Sequence, residues 1–230
     1  GGKHMKISPT LTEVKKIAKT GKYDILPVSC EILSDFITPI EAMRILQNVS
    51  THCYLLESAQ ANEAWGRYTF LGYDPKLEIN CIDGHMKLGK LSVETENPSE
   101  YIRQILSEYK SPKFDYLPSF TGGLVGYFSY DYLGYKEKSI RGKAKDTEDF
   151  KDVDLMLFDK VIAFDNLCQK IILIANMSLD APETGYNKAI VELKQLRELL
   201  MHGEKKQNMG GKLLLSLIHI SEPTRLRCIS

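Results

Sequence analysis

The residues best suited to chemistry lie in residues 54–58, where a carboxylate and a hydroxyl follow three largely apolar residues. If Glu57 and Ser58 line a pocket, the carboxylate suits a ligand ammonium or indole N–H, because a buried carboxylate must be paired. The Ser58 hydroxyl can donate to a ligand carboxylate. The alternative is a strand that simply runs out to a solvated glutamate. If the segment is functional, its chemistry is therefore binding.

Two further segments combine glycine with aromatic residues, at 66–72 and 122–131. Taken alone, their glycines are typical of strand ends and their aromatic residues of a core. A glycine inside a strand usually marks a bulge or a close backbone approach. The second segment is not a phosphate loop, because it lacks the Lys-Ser/Thr pair and the strand–loop–helix context.

A catalytic constellation is absent from the sequence. The chain contains no HExxH, GxSxG, Walker or zinc-spacing motif, and its five histidines are scattered. We therefore assign no catalytic residue and no metal ligand.

Net charge and composition limit the classes of partner that the chain is expected to bind. Lys plus Arg equals Asp plus Glu, at 30 each, which removes the basic footprint that nucleic acid or an anionic membrane would require. No apolar run is long enough to span a bilayer, and no signal peptide follows the first residues. The five cysteines show no CxxC spacing, so we expect reduced thiols and a cytoplasmic location.

Four helices are predicted from cap signals and from the helical spacing of apolar residues. They are expected to begin at Pro9, Pro39, Pro98 and Pro182. Ser8 is the expected N-cap of the first helix, and Thr38 forms a capping box with Glu41 in the second. The fourth helix is expected to extend to His202.

Short apolar, aromatic and β-branched runs predict strands joined by short loops, which favour antiparallel pairing. The expected strands are residues 23–32, 53–57, 66–71, 77–82, 86–91, 120–130, 155–165 and 170–175. Pro27 should break the first strand, and Asp83-Gly84 and Asp165-Asn166 should form hairpin turns. Residues 139–151 are polar and are expected to be an exposed loop. The predicted class is α+β, with antiparallel β-sheets flanked by helices rather than alternating βαβ units.

Several segments occurring together resemble the anthranilate synthase component I family of chorismate-utilising enzymes. They are residues 9–13, 38–40, 55–58, 66–72, 122–131 and 154–165. Each segment alone is a weak signal, but their common order makes the resemblance specific. It runs from about Met5 to Leu213 and implies the amino-terminal half of that family's fold.

The resemblance implies a regulatory site in this chain and no active site. In the family, the LLES element forms part of the site where tryptophan binds and inhibits, and the match carries over to Leu56, Glu57 and Ser58. Tyr68 is a further candidate, because it is aromatic and close in sequence. The rest of the tryptophan site and the catalytic residues lie in the family's carboxyl-terminal half, which is missing here.

The same resemblance predicts the organisation of the chain. Residues 1–4 are a tag or read-through, and residues 5–202 are the amino-terminal regulatory domain. Residues 203–213 are a linker to the missing chorismate-binding domain. Residues 214–230 match nothing in the family pattern and are expected to be a foreign tail.

The whole enzyme of the family converts chorismate, with glutamine or ammonia, to anthranilate and pyruvate in tryptophan biosynthesis. It is a carbon–oxygen lyase with tryptophan as feedback inhibitor and a glutamine amidotransferase subunit, component II, as partner. The resemblance places the chorismate pocket and the Mg²⁺ ligands in the missing half. This chain alone is therefore expected to be inactive.

Two alternatives remain at this stage. Aminodeoxychorismate synthase component I shares the amino-terminal domain, although residues 55–58 favour anthranilate synthase. A stand-alone amino-acid-binding module is the other. The genuine sequence downstream of Leu213 would discriminate between the module and the enzyme.

Overall fold

The computed structural model describes residues 4–58, 66–128, 153–205 and 214–218, with backbone alone for residues 127, 128 and 214–218. The described residues form four helices and eleven strands. The helices are α1 Leu11–Lys19, α2 Pro39–Val49, α3 Pro98–Ser107 and α4 Pro182–His202. The strands are β1 Ile25–Leu33, β2 Cys53–Ser58, β3 Tyr68–Tyr73, β4 Leu77–Ile82, β5 His85–Leu88, β6 Leu91–Glu94, β7 Gly123–Phe128, β8 Val153–Phe158, β9 Lys160–Asp165, β10 Lys170–Ser178 and β11 Leu214–Ile218.

The strands form two sheets. A six-stranded sheet has the order β1-β10-β9-β3-β2-β11, and a five-stranded sheet has the order β6-β5-β4-β8-β7. All described pairings are antiparallel except that of β11 with β2, which is parallel. The predicted α+β class is therefore confirmed. The chain divides into two compact units, one of residues 1–74, 110–122 and 159–230 and one of residues 75–109 and 123–158.

The first unit packs α1, α2 and α4 on one face of the six-stranded sheet. Alternate residues of its strands point to that face, as the period of a strand requires. Members of this core include Val28, Leu55, Leu71, Phe164 and Leu173 from the strands and Val14, Leu46, Leu193 and Leu196 from the helices. Burial of each large apolar side chain contributes about 1.5–3 kcal/mol. This core supports β2 and β3 on the sheet face that packs against the helices.

The second unit has a smaller core, in which Ile79, Cys81, Met86 and Leu155 pack with Ile102 of α3. Its strands include one that the sequence did not predict. We expected a single return strand at 86–91, but the chain turns at Gly89 and Lys90 and β6 follows. Gly89 has φ +63°, a conformation that suits a two-residue hairpin turn and that glycine adopts at little steric cost.

The helix starts show which cap predictions hold. The capping box of α2 is confirmed, since Thr38 Oγ1 accepts the Glu41 N–H and the Glu41 carboxylate accepts the Thr38 N–H. Hydrogen bonds from the Thr38 N–H and then from Lys205 hold the pKa of Glu41 below its ordinary value. The predicted N-cap of α1 is wrong, because Thr10 and not Ser8 accepts the Glu13 N–H. Ser8 instead exchanges two backbone hydrogen bonds with Ser29.

Pro27 does not break β1, contrary to prediction. β1 is an outer strand of the six-stranded sheet, and Ser29 directs its N–H and C=O away from β10 to Ser8. Pro27 is two residues earlier and shares that orientation, so its missing N–H faces away from the β10 ladder. The ladder with β10 is therefore continuous from Ile25 to Leu33.

The expected strand at 155–165 is two strands in two different sheets. β8 belongs to the five-stranded sheet and β9 to the six-stranded sheet, with Asp159 between them. The Asp159 carbonyl accepts hydrogen bonds from the Asn176 backbone and side chain. A continuous buried apolar run hid this break, because both strands are buried along nearly their whole length.

The cysteines differ from prediction at one position. Cys30, Cys53 and Cys81 are free and buried, and burial raises the pKa of Cys30 to about 12. Cys168 is disulfide-bonded, so the expectation of reduced thiols fails there. Sequence spacing does not show which sulfurs come within bonding distance.

Several predictions stay untested. The loop predicted at residues 139–151 lies outside the described residues, as do residues 129 and 130 of the predicted strand 120–130. Residues 214–218 run along β2, and the foreign origin of the tail stays a prediction. In the part of the chain that is described, no helix has the length and apolar character needed to cross a membrane.

Candidate functional site

The four predicted site residues lie on β2 and β3, which pair directly. Leu56 is opposite Phe70 and Glu57 is opposite Thr69 in the antiparallel register. Leu56, Ser58 and Tyr68 are buried and share the sheet face that points away from the helices. Glu57 is exposed and points to the other face. The structure therefore brings three of the four residues together and separates Glu57 from them.

Ser58 and Tyr68 are joined by two hydrogen bonds. The Tyr68 backbone N–H donates to Ser58 Oγ at 2.9 Å, and Ser58 Oγ donates to the Tyr68 carbonyl at 3.2 Å. Ser58 is only 2% exposed. This polar pair lies at the end of the β2–β3 ladder.

Gly66 makes this close approach of the two strands possible. A Cβ on Gly66 would lie 1.5 Å from the Ser58 carbonyl oxygen and 2.6 Å from its carbon. No side chain fits that space without moving the strand. The first glycine of residues 66–72 therefore has a specific steric role beside Ser58, beyond ending a strand.

Aromatic rings continue the same face beyond Ser58. Tyr68 stacks on Phe70 with ring centroids 5.6 Å apart, and Phe120 meets Phe70 edge-on at 5.2 Å. Phe120 also contacts Tyr54 edge-on at 6.2 Å. Burial raises the pKa of Tyr54, so its phenol stays neutral at physiological pH. A row of rings next to a hydroxyl suits a flat aromatic ligand that carries polar groups at one end.

A buried ion pair fixes the start of β3. Arg67 donates to both oxygens of Asp165, from Nε at 3.4 Å and from Nη2 at 3.2 Å, and Asp165 is 1% exposed. The same carboxylate accepts the backbone N–H groups of Leu167 and Cys168 at 3.1 Å each. The Arg67 guanidinium carbon also lies 4.9 Å from the centre of the Tyr68 ring. The pair thus links the aromatic row to the β9–β10 hairpin.

Asn166 reinforces this link. Its backbone N–H donates to the Arg67 carbonyl at 2.8 Å, and its side-chain amide donates to the Gly66 carbonyl at 3.2 Å and to Thr69 Oγ1 at 3.4 Å. The predicted β9–β10 hairpin is present, but its turn comprises residues 166–169 and Asp165 is the last residue of β9.

The arrangement consists of aromatic rings, a hydroxyl and a buried ion pair. Within the described residues, no group of three or more His, Cys, Asp or Glu side chains lies close enough to hold a metal ion. The family resemblance places the Mg²⁺ ligands outside this chain, and that expectation stays a prediction. Leu56, Ser58, Tyr68 and Phe70 are all buried, so a ligand reaches any of them only through a rearrangement of this face.

Sequence reasoning missed four residues of this neighbourhood: Arg67, Phe70, Phe120 and Asp165. Arg67 and Phe70 lie inside a segment that was singled out, and Asp165 lies in a predicted turn. The Arg67–Asp165 ion pair joins residues about a hundred positions apart in sequence. No local sequence pattern predicts such a pair. Phe120 was assigned to a strand without a role.

The chain is similar in sequence to known proteins. The chain is 34% identical over 198 residues to anthranilate synthase component 1 of Acetivibrio thermocellus and 35% identical over 196 residues to that of Pseudomonas aeruginosa. These matches cover 84% and 82% of the chain. Over most of its length, the chain is a homologue of anthranilate synthase component 1. A chloroplastic anthranilate synthase alpha subunit 2 of rice is 32% identical and covers 90% of the chain.

The anthranilate synthase relatives are much longer than this chain. The chain spans about two fifths of the curated relatives it matches, with 39% for the two bacterial proteins and 34% for the rice protein. No family model matches the chain. The solved anthranilate synthase component I of Streptococcus pneumoniae aligns at a TM-score of 0.47 and 23% identity, covering 72% of this chain and 36% of that one.

Proposed function

We propose that this chain is the regulatory part of an anthranilate synthase component I, whose whole protein converts chorismate and glutamine or ammonia to anthranilate and pyruvate. The observation that carries the proposal is homology over more than four fifths of the chain to proteins of that name. The relatives quoted above all carry the anthranilate synthase name, which favours this enzyme over aminodeoxychorismate synthase.

The ligand we propose for the β2–β3 site is tryptophan, acting as feedback inhibitor. Tyr68 and Phe70 are buried, so the aromatic row of Tyr68, Phe70 and Phe120 would contact an indole ring by stacking or edge-on packing only after this face rearranges. Ser58 stands at the end of that row. Glu57 reaches such a ligand only around the end of β2, because it points to the opposite face.

Regulation requires that tryptophan bind two states of the whole enzyme with different affinity. A site completed by residues from the remainder of the enzyme would achieve this by favouring one placement of that remainder. The chorismate pocket, the Mg²⁺ ligands and the surface for a glutamine amidotransferase subunit would then belong to the whole protein, and this chain alone would bind tryptophan weakly.

Ser58→Phe in the full-length enzyme tests the site. We expect tryptophan inhibition to be weakened at least tenfold while chorismate turnover stays largely intact, because a phenyl ring at this buried position displaces the neighbouring side chains of the site and removes the hydroxyl. The measurement is an inhibition curve at equal chorismate for both proteins, with Ser92→Phe on the exposed face of β6 as matched control.

Three outcomes separate the possibilities. Equal half-inhibition concentrations for wild type and Ser58→Phe would remove Ser58 from the site. Parallel loss of turnover and inhibition would make the residue structural. Formation of aminodeoxychorismate rather than fluorescent anthranilate would assign the chain to the other enzyme.

A further inference from the structure

The outer edge of β2, on the side away from β3, accepts a strand in this structure. β2 pairs with β3 on one side and with β11 on the other, and β11 is the last strand of the six-stranded sheet in its part of the order. The pairing with β11 is parallel and runs from Leu214 opposite Tyr54 to Ile218 opposite Ser58. β11 therefore follows residues 54–58, the segment that carries most of the candidate site.

Alternate main-chain groups of β2 point to this outer edge. The Arg67 carbonyl accepts the first N–H of the β9–β10 turn and so points toward β9. Main-chain groups alternate along a strand, so those of Phe70 point toward β2. Leu56 is opposite Phe70 and directs its own N–H and C=O back toward β3. The main-chain groups of Leu55 and Glu57 consequently point to the outer edge, where β11 lies.

The edge of β2, rather than the sequence of β11, explains why a strand forms here. Residues 214–230 match nothing in the family pattern and are expected to be foreign to it. Pairing at a strand edge uses main-chain hydrogen bonds, which extended segments of very different sequence can form. The five residues of β11 contain no charged residue and no proline, so nothing in them opposes such pairing.

The lengths of the relatives indicate which segment would reach this edge in the whole protein. The chain spans 39% of the two bacterial relatives, so most of such a protein lies outside the matched region. β11 begins directly after residue 213, where the resemblance to the family ends. A segment that follows residue 213 is tethered close to the edge, which raises its effective concentration there.

We propose that the outer edge of β2 is an interaction surface for a parallel β-strand from the part of the whole enzyme that follows residue 213, and that β11 takes its place in this chain. The proposal rests on the proposed function for the source of that strand. Its consequence is a direct physical link, because β2 also carries Leu56, Glu57 and Ser58. Displacement of the remainder of the enzyme would reach the proposed tryptophan site through main-chain hydrogen bonds.

Amide hydrogen exchange tests the edge in the present chain. The double variant Ser216→Pro, Leu217→Pro removes one N–H that faces β2, because N–H groups alternate along a strand. We expect the Leu55 and Glu57 amides to exchange about 2- to 10-fold faster in this variant, since a weakly held edge strand protects them only in part. The Leu56 amide faces β3 and is the internal control. Mass spectrometry with electron-transfer fragmentation resolves these neighbouring amides.

The full-length enzyme, without tryptophan, tests the proposed occupant. We expect its Leu55 and Glu57 amides to exchange about tenfold or more slowly than those of the double-proline chain, because a strand anchored in a folded domain opens less often. Equal rates in these two proteins, with the Leu56 amide protected in both, would overturn the proposal. Equal Leu55 and Glu57 rates in the present chain and its double-proline variant would overturn it as well.

A photo-crosslinker identifies the source of the strand in the full-length enzyme. Glu57→p-benzoylphenylalanine places the probe on an exposed position of β2. We expect an intramolecular product with a segment that follows residue 213, whereas a product joining two copies would overturn the proposed source. Absence of tryptophan inhibition in the wild-type enzyme would refute the proposed regulatory function, and the exchange rates would still decide whether the edge is occupied.

Discussion

The Asp165 carboxylate is almost completely buried and forms an ion pair with Arg67. It is compensated by the Arg67 guanidinium and by two backbone N–H groups. Desolvation of such a pair offsets much of its attraction, so its presence says little about net stability. Removal of only one partner is strongly destabilising, because the remaining charge stays buried without its counter-ion.

Arg67→Met leaves Asp165 without its cation. We expect the free energy of unfolding to fall by about 3 kcal/mol, near the lower end for breaking a buried pair because the two backbone N–H groups still bind the carboxylate. Urea denaturation measures the change. Lys15→Met is the control, since the Lys15–Glu183 pair is exposed and its loss should cost less than about 1 kcal/mol. Similar effects for both variants would contradict our account of Asp165.

Gly66→Ala tests the close approach to Ser58. The added Cβ meets a main-chain oxygen that cannot rotate away, so we expect a loss of about 2–3 kcal/mol from forced separation of β2 and β3. Gly21→Ala is the control, because Gly21 has φ +64° but nothing within 4 Å of its Cβ position. That variant should lose only about 1 kcal/mol, from backbone strain. Equal losses in thermal unfolding would show that the contact with Ser58 is not limiting.

Among the elements, helices were predicted better than strands. The fourth helix runs from Pro182 to His202 as expected, because proline at its start and glycine after its end are local signals. The capping box of α2 is equally local. Strand limits depend on partners that are distant in sequence, and so the break at Asp159 and the continuity through Pro27 both escaped prediction.

The candidate site was predictable in part for the same reason. Residues 54–58 predict an apolar strand that ends in polar residues. The resemblance to the anthranilate synthase component I family indicates Ser58, and Tyr68 follows as an aromatic residue close in sequence. Alternation along β2 would have placed Glu57 and Ser58 on opposite faces. The Ser58–Tyr68 hydrogen bonds and the Arg67–Asp165 pair require knowledge of the register, which residue spacing does not contain.

Removal of residues 214–230, compared with the full chain under reducing conditions that open the disulfide of Cys168, tests the contribution of β11. We expect the melting temperature to change by less than about 3 °C, corresponding to less than about 1 kcal/mol for a chain of this size. Ordering each residue of an edge strand costs about 1–2 kcal/mol, and each backbone hydrogen bond returns about 0.5–1.5 kcal/mol. The pairing with β2 is therefore close to neutral. A fall of more than about 6 °C by circular dichroism would show that the tail belongs to the folded core.

For the molecule as a whole, the absence of catalytic residues stays a prediction from the sequence. We expect the purified chain to form no anthranilate from chorismate, with or without Mg²⁺ and ammonia. Anthranilate fluorescence measures this, with the full-length enzyme as positive control. A signal above the blank without protein would contradict the proposal that catalysis needs the remainder of the enzyme.

The interleaving of segments in the six-stranded sheet sets an order of events during synthesis. β9 and β10 lie between β1 and β3, yet they are translated about a hundred residues after β3. While a ribosome is still reading codon 150, the chain already made holds β1, β2 and β3 but lacks β9 and β10, which join β1 to β3. Loop-closure entropy and waiting time then oppose early assembly. Nascent β1 and β3 depend on delayed partners, so slowed translation between codons 75 and 160 should expose them to chaperones for longer.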